Sequence, residues 1–146
     1  MKNFDESMTE FFKDCQLEGS DKYDCSVWKT YTNATKSLFI KDAPMNLIIN
    51  LKRFDKFGTK IKSSFEYPNS FKLSDYTSHI TDKNNDVTYE LYAVIKHEGR
   101  FSTRGHYNWC VKGYDNSWYV WDDKEIQKFK EAVRNFQQIH YKLFLI

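Results

Sequence analysis

The chain begins with a helical period and then changes to a strand period. Met8, Phe11, Phe12 and Cys15 recur at i, i+3, i+4 and i+7, which predicts an amphipathic helix over residues 7–17. Ser7 followed by Glu10 supplies a capping box, and Gly19 lies just past the end. From residue 31 the apolar positions come in short runs. Residues 38–40 predict a short strand, broken by Pro44, and residues 47–54 predict a buried strand. Residues 60–67 alternate weakly up to Pro68, residues 74–76 suggest a short loop-like element, and residues 82–86 a polar turn. Residues 89–97 predict a strong strand with Tyr89, Leu91, Ala93, Ile95 and His97 on one face. After a loop at 99–105, residues 107–111 and 118–121 read as two strands around a turn at 113–116. Residues 124–136 fit a helix and 141–146 a closing strand. The expected class is α+β, mostly antiparallel sheet with a helix near each end.

Composition supports that class and removes others. The 12 Phe, 10 Tyr and 4 Trp favour strands. Lys+Arg at 22 against Asp+Glu at 20 leaves a net charge of +2, so no nucleic-acid partner is expected. No apolar run approaches the ~20 residues that cross a bilayer, and the N-terminus lacks the apolar stretch of a signal peptide. No membrane partner is expected. Three widely spaced cysteines do not make a disulfide framework, which points to an intracellular compartment, cytoplasmic or nuclear. With no repeat and no linker, residues 1–146 form a single unit.

The candidate chemistry lies in the hairpin of residues 105–123. A turn centred on Tyr114 makes His106 face Asp122, Tyr107 face Trp121, Trp109 face Tyr119 and Cys110 face Trp118. Directly opposed Cβ atoms are ~4.5–5.5 Å apart, close enough for a carboxylate to accept from an imidazole N–H. Such a bond fixes the tautomer and steadies the imidazolium. Gly105 permits close approach beside the histidine. Read from geometry alone, the pair also fits a surface His–Asp contact at a hairpin end, and a nucleophile has to come from elsewhere.

Four segments carry a resemblance to the ubiquitin-specific proteases. Leu47-Ile48-Ile49-Asn50-Leu51-Lys52-Arg53-Phe54 resembles that family's L-I-I-x-L-K-R-F strand. Tyr89-Glu90-Leu91-Tyr92-Ala93-Val94-Ile95-Lys96-His97-Glu98-Gly99 is similar to Y-x-L-x-A-V-x-x-H-x-G. Gly105-His106-Tyr107 resembles the histidine box, and Trp118-Tyr119-Val120-Trp121-Asp122-Asp123 the W-Y-x-F-D-D segment. The four occur in the family's order, and the resemblance runs from about Phe11 to the end. It implies the palm and part of the fingers of a papain-like cysteine protease domain that cleaves after ubiquitin's C-terminal glycine. Residues 1–146 would be a partial catalytic domain, and its partners would be ubiquitin or ubiquitinated proteins. Carried over, His106 is the general base, Asp122 orients it, and Tyr107 lines the channel for the Gly-Gly tail. Asp123 is either a polar support behind them or a solvated turn carboxylate. His97 is expected to be structural; His79 and His140 match no motif.

The resemblance also marks departures. The family's cysteine box would lie upstream of Met1, in a missing N-terminal segment, and none of Cys15, Cys25 or Cys110 sits in a matching box. Of the C-x-x-C pair that often binds zinc in the fingers, Cys25 remains and Trp28 stands at the second position. No metal and no cofactor are therefore expected, and Trp28 is expected to pack where the metal would sit. The alternative to an enzyme part is a catalytically inactive module that binds ubiquitin or another partner.

Overall fold

Asn3, rather than Ser7, opens the first helix. In the computed structural model, which describes residues 3–76, 87–129 and 140–145, helix α1 spans Phe4–Phe12. The Asn3 Oδ1 accepts from the Glu6 backbone N–H at 2.8 Å, and Asp5 and Glu6 place negative charge in the first turn. Moving the start moves the apolar face. Phe4 and Met8, one turn apart, are buried, whereas Phe11 is exposed and Cys15 belongs to the following strand. The cap was legible as a side-chain type, but Ser7–Glu10 lies inside the helix and competes for the same role.

Four three-residue strands follow: β1 (Cys15–Leu17), β2 (Tyr23–Cys25), β3 (Thr30–Thr32) and β4 (Ala34–Lys36). They form two small antiparallel ladders, β1 with β4 and β2 with β3. The strand expected at residues 38–40 is absent; the pairing stops at Lys36. Strand β5 (Leu47–Asn50) is shorter than the expected 47–54. Beyond it Leu51 and Arg53 turn inward, and the Arg53 guanidinium is satisfied by the Ile61 and Ser63 carbonyls. Strand β6 (Ser70–Lys72) and a single helical turn, Leu73–Asp75, follow.

The main sheet is built on β7 (Thr88–Phe101), with β8 (Arg104–Lys112), β9 (Trp118–Asp122), β10 (Glu125–Phe129) and β11 (His140–Leu145). The order is β10-β9-β8-β7-β11-β5, antiparallel at every pair, with β6 on the first residues of β7. The helix expected at 124–136 is a strand at its start, because Asp123 and Lys124 make a two-residue turn and return the chain along β9. Asp123 takes φ 50°, the left-handed conformation such a turn requires. The rest of that expected helix and the turn at 82–86 lie outside the described residues.

The core sits on one face of the sheet, under α1. It includes Phe4, Met8, Leu51, Phe65, Tyr67, Phe71, Leu73, Tyr89, Leu91, Val94 and Cys110. The ring centroids of Phe4 and Phe71 lie 4.8 Å apart, and those of Phe71 and Tyr89 5.7 Å. Strict alternation predicted Ala93 and Ile95 in the same row as Tyr89 and Leu91. Instead Leu91 and Ala93 oppose consecutive residues of β11, so Tyr92 is an inserted residue. That bulge flips the parity and brings Val94 into the core. We expect Leu73→Ala, at a fully buried position, to cost about 2–5 kcal/mol. Urea unfolding of the two chains would read it as a lower midpoint at unchanged slope.

Candidate functional site

The turn between β8 and β9 sets the geometry of the site. The Asn116 N–H donates to the Gly113 carbonyl at 3.0 Å, and the Gly113 N–H to the Ser117 carbonyl at 2.7 Å. Asn116 has φ 59°. This is a three-residue loop, a type I turn closed by a left-handed residue. Asp115 anchors it by accepting from the Ser117 N–H, the Tyr119 hydroxyl and the Lys128 ammonium. The loop is centred on Asp115 and not on Tyr114. Trp109 therefore faces Trp121, Cys110 faces Val120 and Val111 faces Tyr119. Every facing pair expected from the sequence is displaced by two residues.

A displacement of two keeps each side chain on its face, because the strand period is two. His106 and Asp122 become diagonal neighbours on one face instead of directly opposed, and the bond survives: His106 Nε2 is hydrogen-bonded to Asp122 Oδ1. Both side chains are about half-exposed. The bond to Asp122, then its charge, and more weakly Asp123 and Glu98, raise the His106 pKa above its ordinary 6.5, against a smaller opposing effect of desolvation. One ligand atom each from His106, Asp122 and Asp123 lie within 4.8 Å of one another. The His106–Asp122 bond accounts for that grouping, and we do not read these residues as metal ligands.

The main chain beside His106 is held from the other face. His97, 1% exposed, faces Tyr107 across β7 and β8, with ring centroids 4.7 Å apart, and meets Phe54 edge-on at 5.5 Å. Its ring fills the space left by two glycines. A Cβ at Gly105 would overlap His97 Nε2 and lie 2.5 Å from the Glu98 carbonyl; one at Gly99 would lie 2.9 Å from His97 Cε1. Burial lowers the His97 pKa, Lys60 adds to the effect, and a hydrogen bond to the Arg104 backbone opposes it. Tyr107 is half-exposed on this same side, and Lys60 donates to the His97 carbonyl.

Two residues of the network were missed by sequence reasoning. Glu98 directly faces His106, and Asn108 faces Lys96. Glu98 Oε1 accepts from Lys96 Nζ at 2.5 Å and from Asn108 Nδ2 at 3.2 Å. Their part depends on the β7–β8 register, which only the pairing of the two long strands defines.

The cysteines are dispersed. Cys110 is fully buried, and burial pushes its thiol up to about 11. Cys15 is exposed on β1 and Cys25 half-buried on β2. Trp28 does not pack as expected: it is 72% exposed in the turn between β2 and β3, where the Lys29 N–H donates to the Cys25 carbonyl. A four-residue hairpin turn offers no second layer for an indole to bury against. Among the described residues, no group of three or more His, Cys, Asp or Glu ligand atoms includes Cys25, and no helix is long and apolar enough to cross a membrane.

Comparison with known proteins gives this arrangement a context. Residues 2–144 match the family described as ubiquitin carboxyl-terminal hydrolase. The chain belongs to the ubiquitin carboxyl-terminal hydrolases. It is 36% identical over 114 residues to ubiquitin carboxyl-terminal hydrolase 17-like protein E of Mus musculus, covering 77% of this chain and 21% of that protein. It is 33% identical over 122 residues to 17-like protein 10 of Homo sapiens, covering 83% and 23%. It thus spans about a fifth of the length of these relatives. Among solved structures, a SAGA DUB module of Ubp8, Sgf11, Sus1 and Sgf73 bound to monoubiquitin matches with a TM-score of 0.79 at 26% identity. That match covers 99% of this chain and 32% of the other. The architecture is that of a ubiquitin-specific protease catalytic domain, as the sequence resemblance implied.

Three substitutions test this geometry. In Asp122→Asn the His106 titration midpoint, read by NMR, falls from its raised value towards 6.5, since the main raising cause is removed. Gly105→Ala forces a Cβ into the His97 ring and the Glu98 carbonyl, and lowers stability by about 1–3 kcal/mol in denaturant unfolding. Trp28→Ala, at an exposed turn, stays within about 0.5 kcal/mol of the parent in the same measurement.

Proposed function

We propose that residues 1–146 are the His/Asp-bearing part of a thiol-dependent deubiquitinase, and that ubiquitin or ubiquitinated proteins are its partners. The bond between His106 and Asp122 in a chain of this family is the observation that carries the reading. A likeness to a structure bound to monoubiquitin supports ubiquitin as the partner. In this reading a cysteine from an upstream segment supplies the nucleophile. His106 takes the thiol proton, and the thiolate attacks the carbonyl carbon of ubiquitin's last glycine. Asp122 holds the imidazole in the tautomer that leaves one nitrogen facing the thiol, and steadies the imidazolium. The imidazolium returns its proton to the leaving amine, and water then releases the acyl group. Tyr107, next to His106 along β8, half-exposed and braced by the His97 ring, borders the channel for the ubiquitin tail.

A second reading, an inactive ubiquitin-binding relative, is favoured by the three cysteines. Cys110 lies four residues from His106 on the same strand, about 13 Å along it, with a thiol pushed up to about 11. A nucleophile and its base must come within ~2.6–3.2 Å. The two readings diverge in one assay with a fluorogenic ubiquitin substrate. The 146-residue chain alone is expected to be silent. A longer protein that joins it to a cysteine-box segment is expected to turn over, and His106→Ala should then lower kcat about 10²–10⁴-fold. A silent longer protein that still binds ubiquitin would favour the inactive relative. Elemental analysis is expected to find well under one zinc per chain.

A further inference from the structure

His106 has an acid on each neighbouring strand. Asp122 reaches it from β9 and is hydrogen-bonded to it. Glu98 stands directly opposite it on β7, on the face that carries Val94, Lys96, Asn108 and His106. We propose that Glu98 is a second positioning acid for His106, fixed by Asn108 and moderated by Lys96. The proposal rests on reading His106 as the base of the hydrolase.

Three observations carry it. The pairing of Glu98 with His106 is direct, and directly opposed Cβ atoms lie about 4.5–5.5 Å apart, in reach of a through-space charge effect. The Glu98 carboxylate is not left to wander, because Oε1 accepts from both Lys96 and Asn108. Asn108 is 7% exposed, and its Oδ1 is buried without a hydrogen-bond partner. A buried polar group is costly to place, so its amide is spent on orienting Glu98. Lys96 and Asn108 keep Glu98 ionised, and its charge favours the imidazolium of His106. The charged groups that face His106 from the described elements are Glu98 from β7, Asp122 from β9 and Asp123 from the following turn. Lys96 stands behind Glu98. Three carboxylates thus favour the imidazolium of His106, and the Lys96 ammonium sits against one of them.

The test uses the 146-residue chain and proton NMR titration of the histidine ring signals, with His106 assigned by its loss in His106→Asn. Glu98→Gln keeps the shape of the side chain and removes its charge. Lys96→Met removes the moderating cation. The Glu98 side chain is half-exposed and that of Lys96 is 26% exposed, and amide dispersion reports that the fold is kept. The His106 midpoint is expected to fall in Glu98→Gln and to rise in Lys96→Met. A residue that only packs the sheet would move neither. A Glu98→Gln midpoint equal to or above the parent's, or a Lys96→Met midpoint at or below it, overturns the proposal. These shifts need no substrate and no nucleophile. Loss of the proposed activity in the longer protein would sink the hydrolase reading and leave them standing; unmoved midpoints would sink this proposal alone.

Discussion

The arrangement around His106 depends on the parity of β8. Along one face this strand presents His106, Asn108 and Cys110, and along the other Tyr107, Trp109 and Val111. Cys110 is locked by burial against Val94, and Val120 faces it on β9. Once that one position is in the core, His106 must share its face two steps on, and Tyr107 must share the face of His97. A slip of one residue would exchange the two sets, turning Cys110 out of the core and His106 away from Asp122. The hydrophobic contact at one end of the strand therefore fixes the face that the imidazole takes at the other, while the β8–β9 turn sets the register that brings Asp122 to it.

Burial and close approach then hold the backbone that parity has aimed. His97 is a large ring in a place where two glycines leave room, so the β7–β8 connection closes tightly next to His106. The ring touches Tyr107 after the histidine, and bonds to the Arg104 backbone before it. Lys60 ties in the segment between β5 and β6: its side chain donates to the His97 carbonyl, and its backbone N–H to the Arg100 carbonyl at 2.8 Å. A buried imidazole with a lowered pKa stays neutral, so this packing introduces no charge beneath the site.

The sequence disclosed what is periodic and what is motif-like, and concealed what depends on one inserted residue. The antiparallel class, the long β7 and the sharing of a face by His106 and Asp122 were legible because a period of two survives small errors. The turn centre lies one residue beyond Tyr114 because Asn116 takes the left-handed position and closes a three-residue loop, yet the resulting two-residue displacement preserved the face. An odd displacement would have lost it. The bulge at Tyr92 left no local signal, and it exchanged Ala93 and Ile95 for Val94 in the core. At the ends, residues 124 onward carry a helical period while Asp123 permits a tight turn, and the turn won over the first residues. Trp28 stands at the second cysteine position of a metal-binding pair, which suggested packing in place of the metal; a hairpin turn two strands wide has no interior to receive it.

The two histidines described on either side of β7 and β8 respond to pH in opposite senses. His106 has its pKa raised in the fold, so its ion pair contributes stability in acid that is lost as pH rises through the folded value. His97 has its pKa lowered, so the unfolded chain takes up the proton first. Stability then falls as pH drops below 6.5 towards the folded value. The first contribution is small, because His106 and Asp122 are half in water and the pair is screened. The second is set by a ring with almost no exposure. The half-exposed imidazole is thus free to change its proton at little cost to the fold, while the buried one resists protonation. One sheet holds an imidazole whose charge can change at its surface and another that stays neutral in its interior.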